Sequence, residues 1–217
     1  MLHTVEAVAA EAPQLVPIYQ MAFAREPWRE VSACAAPAGF ENACPRRRSQ
    51  QEIGEACAHC GEILREPAFS EERLTAGWVS CFSAHDSRFY LERYPDGPCV
   101  VAALAWKATA EVLAERCYSA PGEEKMHAWL TDRLPGQFVW LEDIFADLSL
   151  RPCGNLRNYR AMISQFLSEL KGSVLAFRSI NERLIEKTLK LFGPQAKHLV
   201  AIRDVPDHRD LVVVRLS

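Results

Sequence analysis

The segment from Val139 to Leu170 constrains the fold of this chain most, because a strand, a short turn and a helix follow one another within it. Its first residues, VWLEDIF, form an apolar strand that carries two adjacent acids. Its last residues repeat apolar side chains at helical spacing, which predicts an amphipathic helix from Arg157 to Leu170 that stops at Gly172. A strand that turns directly into a helix points backbone N–H groups and a positive helix end at an anion.

The rest of the chain predicts a single α/β domain over residues 1–217. The turn signal Pro95-Asp96-Gly97 separates two strands that we expect to form a hairpin. The predicted helices cover part of residues 1–31, residues 71–84, most of residues 108–134, and Asn181 to Phe192. The predicted strands are Arg88 to Tyr94, Pro98 to Trp106, Val139 to Asp147, Ser173 to Phe177, His198 to Arg203 and Leu211 to Leu216. This order predicts a mixed sheet of about six or seven strands with helices on both faces, in which the third strand is central and parallel to the fourth.

The composition indicates a reducing compartment, and we expect the cytoplasm. The N-terminus has early acids and no basic start, unlike a signal peptide. No apolar run reaches the roughly 18 residues that a transmembrane helix needs, so no membrane association is expected. A net charge of −3 over 217 residues predicts no general affinity for nucleic acid. The eight cysteines are therefore expected to bind metal or to be buried, rather than to form disulfides.

Residues 32–64 predict an insertion that is held together by something other than an apolar core. They contain the knuckle Cys57-Ala58-His59-Cys60-Gly61, in which two thiolates at suitable spacing can bind one tetrahedral zinc ion. Cys34 and Cys44 are the other two thiols of this segment, so the candidate zinc ligands are Cys34, Cys44, Cys57 and Cys60. A redox Cys-x-x-Cys pair and a set of unrelated buried thiols are the open alternatives.

Several of these motifs resemble the GNAT superfamily of N-acetyltransferases. The motif Leu141-Glu142-Asp143-Ile144-Phe145 is similar to the Leu-Glu-Asp-x-Phe strand of diamine acetyltransferases, and Arg151-Pro152-Cys153-Gly154 to the start of the family's acetyl-CoA loop. Pro27-Trp28-Arg29-Glu30 and the knuckle resemble GNAT-like proteins that carry a cysteine-rich insertion. The resemblance implies a GNAT-like acyl-CoA N-acyltransferase fold with a small zinc-ribbon-like insertion, acetyl-CoA as co-substrate and structural Zn²⁺.

By this resemblance, Glu142 would be the general base that takes a proton from the amine, and Asp143 would face or bind the amine. Because a strand alternates its side chains between two faces, we expect the two acids on opposite faces, with one of them only solvated or structural. An exposed acid pair without a catalytic role is the open alternative. The residues that the resemblance places against acetyl-CoA are Phe145, Ala146, Arg151, Cys153, Gly154, Asn155, Leu156 and Asn181. The alternative interpretation of Gly154 is that this glycine serves only to form a turn.

Three positions depart from the family's pattern. Leu156 replaces a small residue of the acetyl-CoA loop, and Pro152 removes one of its N–H groups. Thr188 stands where the family's later helix often carries a tyrosine that protonates the leaving thiolate. These departures keep open a second hypothesis, a GNAT-fold pseudoenzyme that binds a ligand or a partner protein.

A third hypothesis is a zinc-ribbon interaction module in which Arg46, Arg47 and Arg48 contact nucleic acid. The net negative charge of the chain argues against it, and a solvated charged loop is the commoner explanation of three arginines. The partner expected for the enzyme is a small-molecule or peptide amine, and a homodimer is left open.

Overall fold

The computed structural model describes ten stretches of the chain: residues 1–25, 29–34, 48–49, 51–58, 61–93, 98–117, 124–134, 136–147, 159–199 and 209–216. Its α-helices are α1 (Val5–Phe23), α2 (Glu71–Ala84), α3 (Ala110–Cys117), α4 (Glu124–Arg133), α5 (Tyr159–Glu169) and α6 (Glu182–Phe192). Its strands are β1 (Ser32–Ala33), β2 (Arg48–Ser49), β3 (Glu66–Pro67), β4 (Ser87–Arg93), β5 (Cys99–Thr109), β6 (Gln137–Ala146), β7 (Val174–Ser179), β8 (Ala196–Leu199) and β9 (Asp210–Arg215). Within these stretches, no helix has the length and apolar character that crossing a bilayer requires.

The main sheet has six strands in the order β4-β5-β6-β7-β9-β8. Neighbouring strands are antiparallel except β6 and β7, which are parallel. This arrangement confirms the predicted mixed sheet, with the acid-bearing strand central and parallel to the strand after the amphipathic helix. Several boundaries differ from the prediction by one to three residues: β5 continues to Thr109 before α3 begins, β6 begins at Gln137, β7 ends at Ser179 and β8 begins at Ala196. Residues 118–123 and 200–208 lie outside the described stretches.

Two apolar cores lie on opposite faces of this sheet, because successive strand residues point to opposite sides. Along β5, Ala102, Leu104 and Trp106 contribute to one core, and Ala103 and Ala105 to the other. Helices α1 to α4 pack on the first face, which we call the α1 face. Helices α5 and α6 pack on the second, the α5 face. Because the sheet is covered on both sides, its central strands are almost wholly apolar, and the two acids in β6 are exceptional there.

Gly172 allows the end of α5 to approach β6 closely. Its N–H donates to the carbonyl of Leu167 at 2.8 Å, which closes the helix. A Cβ at this position would lie 2.7 Å from Cγ2 of Val139. A larger residue would therefore push the start of β7 away from β6, at the place where these parallel strands meet.

Candidate active site

Strands β6 and β7 separate after a short parallel contact. They pair only at Val139 with Leu175 and at Trp140 with Ala176. Beyond these pairs β6 continues along β5, and β7 continues along β9. The two strands thus leave an opening between residues 141–146 and residues 177–179, which we call the wedge. It opens at the carboxyl ends of two parallel strands, where α/β proteins commonly bind ligands.

A β-bulge lies in β6 beside the wedge. Leu104 of β5 pairs with Asp143, but the next residue, Ala105, pairs with Leu141, so Glu142 is an extra residue with no partner in the register. Such a bulge locally breaks the alternation of side chains. Glu142 and Asp143 both contact residues of the α1 face, as the next two paragraphs describe. The expectation that simple pleating would send one acid to the other face is therefore wrong.

Glu142 is held by two donors at its two carboxylate oxygens. The indole N–H of Trp106 donates to Oε2 at 2.9 Å. The guanidinium of Arg116, from α3, lies 3.5 Å from Oε1. The side chain of Glu142 is 24% exposed and that of Arg116 is 31% exposed, so this ion pair is accessible to solvent. Glu142 therefore combines a fixed orientation with access to water, as a general base that works through water requires.

Asp143 is held by both N-terminal helices of the α1 face. The hydroxyl of Tyr19, from α1, donates to Oδ1 at 2.9 Å, and the indole N–H of Trp78, from α2, donates to Oδ2 at 3.3 Å. The ring of Phe145 lies against both donors, 4.9 Å from the Tyr19 ring and 6.0 Å from that of Trp78. Phe145 is buried in this cluster, and Ala146 is half-buried at the end of β6. Asp143 thus ties two helices to the strand that carries the candidate base.

His85 and Cys81 complete the surroundings of the acids. The His85 ring stacks on Trp106 with 4.1 Å between centroids. Burial lowers the pKa of His85, and the Arg116 guanidinium lowers it further, so the imidazole is neutral near pH 7. Burial raises the pKa of the Cys81 thiol to about 11, so this buried thiol of the core stays protonated near pH 7.

The cysteine-rich insertion brings two of the four candidate zinc ligands together. Cys34 and Cys57 are buried and form one cluster with Leu64. The knuckle forms a hairpin in which the N–H of Cys57 donates to the carbonyl of Glu62 and the N–H of Gly61 to that of Cys57, both at 2.8 Å. Cys44 and Cys60 lie outside the described residues. In the part of the chain that the structure covers, no three His, Cys, Asp or Glu side chains converge on a metal position.

A small sheet in the order β2-β1-β3 supports the insertion. The hydroxyl of Ser32 donates to the carbonyl of Gln51 at 2.6 Å, and the amide oxygen of Gln51 accepts from the N–H of Ala58 at 2.7 Å. Among its described residues, the insertion is held by backbone pairing, by these hydrogen bonds and by the three-residue apolar cluster.

Solved N-acetyltransferases share this architecture. An agmatine N-acetyltransferase, determined as a point mutant without ligand, matches with a TM-score of 0.51 and 14% identity over 95% of this chain and 94% of its own. A polyamine N-acetyltransferase from Drosophila melanogaster matches with a TM-score of 0.51 and 13% identity over 96% and 95%. The chain has the GNAT fold. No protein-family model and no curated protein sequence matches the chain.

The N-terminal ends of α5 and α6 adjoin, in sequence, residues that the resemblance assigns to acetyl-CoA. Asn181 caps α6 just after the carboxyl end of β7, and its side-chain oxygen accepts from the N–H of Leu184 at 3.2 Å. Tyr159 is the first residue of α5. The loop residues Arg151, Cys153, Gly154, Asn155 and Leu156 lie outside the described stretches, so their contacts stay predictions.

Thr188, at the position of the family's tyrosine, is buried between α5 and α6. Its hydroxyl hydrogen-bonds to that of Tyr159 at 3.0 Å and donates to the carbonyl of Leu184 at 2.8 Å. Burial raises the pKa of Tyr159 well above its usual value. The two hydroxyls therefore satisfy each other's need for a hydrogen-bond partner within the core of the α5 face.

Sequence reasoning missed the residues that hold the two acids, namely Tyr19, Trp78, Trp106 and Arg116. They come from α1, α2, β5 and α3, and each lies at least 26 positions from its acid in the chain. The only local signal of these partners was a polar atom on an otherwise apolar helix face or strand. That signal is weak, because tyrosine and tryptophan are common core residues.

Proposed function

We propose that this chain is an acetyl-CoA-dependent N-acetyltransferase that acts on an amine by direct transfer. The observation that supports it most is the bulge at Glu142, which turns two adjacent carboxylates to one face at the edge of the wedge. Within a GNAT fold, this combines a candidate base with a gap between parallel strands.

The wedge suits the pantetheine arm of acetyl-CoA. Along one edge of β6, the peptide groups beyond Trp140 do not pair with β7. Such groups can bind an extended amide-containing ligand as a further strand would. We assign the pantetheine to the side of Phe145 and Ala146, and the pyrophosphate to Arg151, Cys153, Gly154, Asn155 and Leu156 before α5, with Asn181 near the end of the wedge. Acetyl-CoA supplies the acetyl thioester.

Glu142 would remove the proton that the amine must lose before it attacks, directly or through one water. Its partners leave it partly exposed, whereas both oxygens of Asp143 accept hydrogen bonds from aromatic side chains. We therefore assign proton transfer to Glu142, and assign Asp143 to attracting the cationic amine and to holding α1 and α2.

A positively charged aliphatic amine is the substrate class that this pair of acids favours. Two carboxylates within one bulge attract an ammonium group before it is deprotonated. The two solved structures described above are named for agmatine and polyamines, which are amines of this class. Since Thr188 is engaged with Tyr159, we assign protonation of the leaving thiolate to water. We place the enzyme in the cytoplasm, as a monomer or homodimer.

Calorimetry with acetyl-CoA and coenzyme A, followed by acetylation assays with agmatine, spermidine and a lysine peptide, tests this proposal. Binding and transfer to at least one amine support it. Gly154→Asp should abolish binding because a carboxylate would repel the pyrophosphate, while the neutral isostere Gly154→Asn should retain more of it. If the wild type binds neither acetyl-CoA nor coenzyme A at millimolar concentration, the proposed enzymatic function is rejected.

The alternative is a GNAT-fold pseudoenzyme that binds a ligand or a partner protein. The buried Thr188–Tyr159 pair favours it, because it leaves no phenol at that position of α6 to act on a leaving group. A protein that binds coenzyme A but transfers no acetyl group would support this alternative.

We further propose that the insertion binds one structural zinc ion through Cys34, Cys44, Cys57 and Cys60. Two observations support it. Cys34 and Cys57 are buried together in a cluster that has Leu64 as its only other member among the described residues, and Gly61 at the end of the knuckle has a positive φ of 79°. N–H groups in such a turn can stabilise thiolates, and a metal would add cohesion to this small cluster.

A further inference from the structure

Trp106 presents a fixed donor to the candidate base. Its side chain is fully buried, and its backbone pairs with Trp140 in the centre of the sheet. The stacked His85 ring restricts its rotation further. An indole N–H can only donate, and this one donates to Oε2 of Glu142. A rigid donor of this kind sets the direction in which the second carboxylate oxygen points.

Arg116 contacts both members of this pair. Its guanidinium lies 3.5 Å from Oε1 of Glu142 and 5.4 Å from the centroid of the Trp106 ring. The indole thus serves as a platform for the cation that pairs with the carboxylate. Because the pair is partly exposed, its contribution to stability is small, and orientation of the carboxylate is the larger consequence.

We infer that Trp106 and Arg116 are positioning residues that hold the Glu142 carboxylate in its orientation. This inference rests on the proposed function where turnover is concerned, although the geometry itself can be tested without it. The two side chains contact different oxygens of the carboxylate, Trp106 at Oε2 and Arg116 at Oε1, so together they fix the plane of the group.

Steady-state kinetics of Trp106→Phe, Arg116→Gln and Arg116→Lys test the inference. Trp106→Phe should lower kcat about 10-fold, the effect of losing one charge-assisted hydrogen bond, with KM for acetyl-CoA changed less than about two-fold. Arg116→Gln should also lower kcat, by about three-fold or more with KM for acetyl-CoA changed less than about two-fold, because the carboxylate loses one of the two contacts that orient it. Arg116→Lys keeps the charge and should restore part of the lost kcat.

Arg133→Gln is the matched control. Arg133 lies over the Trp129 ring at 5.0 Å in the neighbouring helix α4, and it pairs with Asp132 at the surface. This variant removes the same kind of arginine–tryptophan contact away from the bulge, so kcat should not change. Folded Arg116→Gln protein with the wild-type kcat, or an equal loss of kcat in Arg133→Gln, would overturn the inference.

NMR spectra keep this test independent of the enzyme proposal. The chain has five tryptophans, and the indole ¹⁵N–H signal absent from Trp106→Phe is that of Trp106. Because this N–H donates to Oε2 of Glu142, its signal should shift in Glu142→Gln and in Arg116→Gln, and should keep its position in Arg133→Gln. If the wild type acetylates no amine, the proposed function fails. If the indole signal keeps its position in Glu142→Gln, the positioning fails.

Discussion

Tyr19 donates its hydroxyl to Asp143 at 2.9 Å across 124 positions of sequence. The bond links the first helix of the chain to the bulged strand that carries both candidate site acids. The Tyr19 ring also packs against Phe69, 4.9 Å away, and Phe145. The placement of α1 therefore depends on the same residues that shape the wedge.

Tyr19→Phe should lower the free energy of unfolding by about 1–2 kcal/mol, because it removes one hydrogen bond to a partly buried carboxylate and leaves the ring packing in place. Urea denaturation measures this change. Tyr90→Phe is the control, since Tyr90 is also partly buried, contacts Phe166, and makes no hydroxyl hydrogen bond within the described residues. Equal losses in the two variants would contradict a specific role for the Tyr19–Asp143 bond.

Glu142→Gln should cut turnover about 100-fold or more, because the amide retains the size of the side chain but cannot accept the proton of the amine. Calorimetry should show nearly unchanged coenzyme binding, since Glu142 contacts Trp106 and Arg116 at the bulge. Wild-type turnover in the Gln variant would exclude Glu142 as the base.

Purified protein should contain about one zinc equivalent per chain, since structural zinc sites bind tightly. Cys57→Ser should lose the metal, while Cys81→Ser should keep it, because Cys81 lies in the core of the α1 face and outside the insertion. Elemental analysis after purification without added metal gives the answer. Less than about half an equivalent of zinc in the wild type would reject the zinc site. A redox pair or a set of unrelated buried thiols would then be the remaining explanations of these cysteines.

Alkaline pH should destabilise the protein through Cys81. Burial raises the pKa of this thiol from 9.0 to about 11, so the native state keeps a proton that the unfolded chain loses. Its contribution to stability is complete below pH 9 and is lost as the pH rises toward 11, by about 2 kcal/mol. Urea denaturation between pH 8 and 11 should show a shallower decline for Cys81→Ala, and parallel curves would contradict this.

The local patterns of the sequence determined the secondary structure around the site. The apolar stripe that includes Tyr159, Met162 and Phe166 predicted α5, and these side chains are buried as expected. The apolar run of β5 and the acid-bearing strand β6 were also predicted, because strand and helix periodicity depend on neighbouring residues alone. The order of these elements then predicted the sheet and the parallel β6–β7 pair.

The tertiary structure decided how the two acids are oriented and what holds them. The bulge at Glu142 arises from the register between β5 and β6, and a shift of one residue in register reverses the faces of a strand. No local pattern in LEDIF specifies that register. The partners Tyr19, Trp78 and Arg116 reach the acids only after α1, α2 and α3 pack on one face of the sheet. Periodicity determines which residues form a strand, but long-range packing determines which atoms meet beside it.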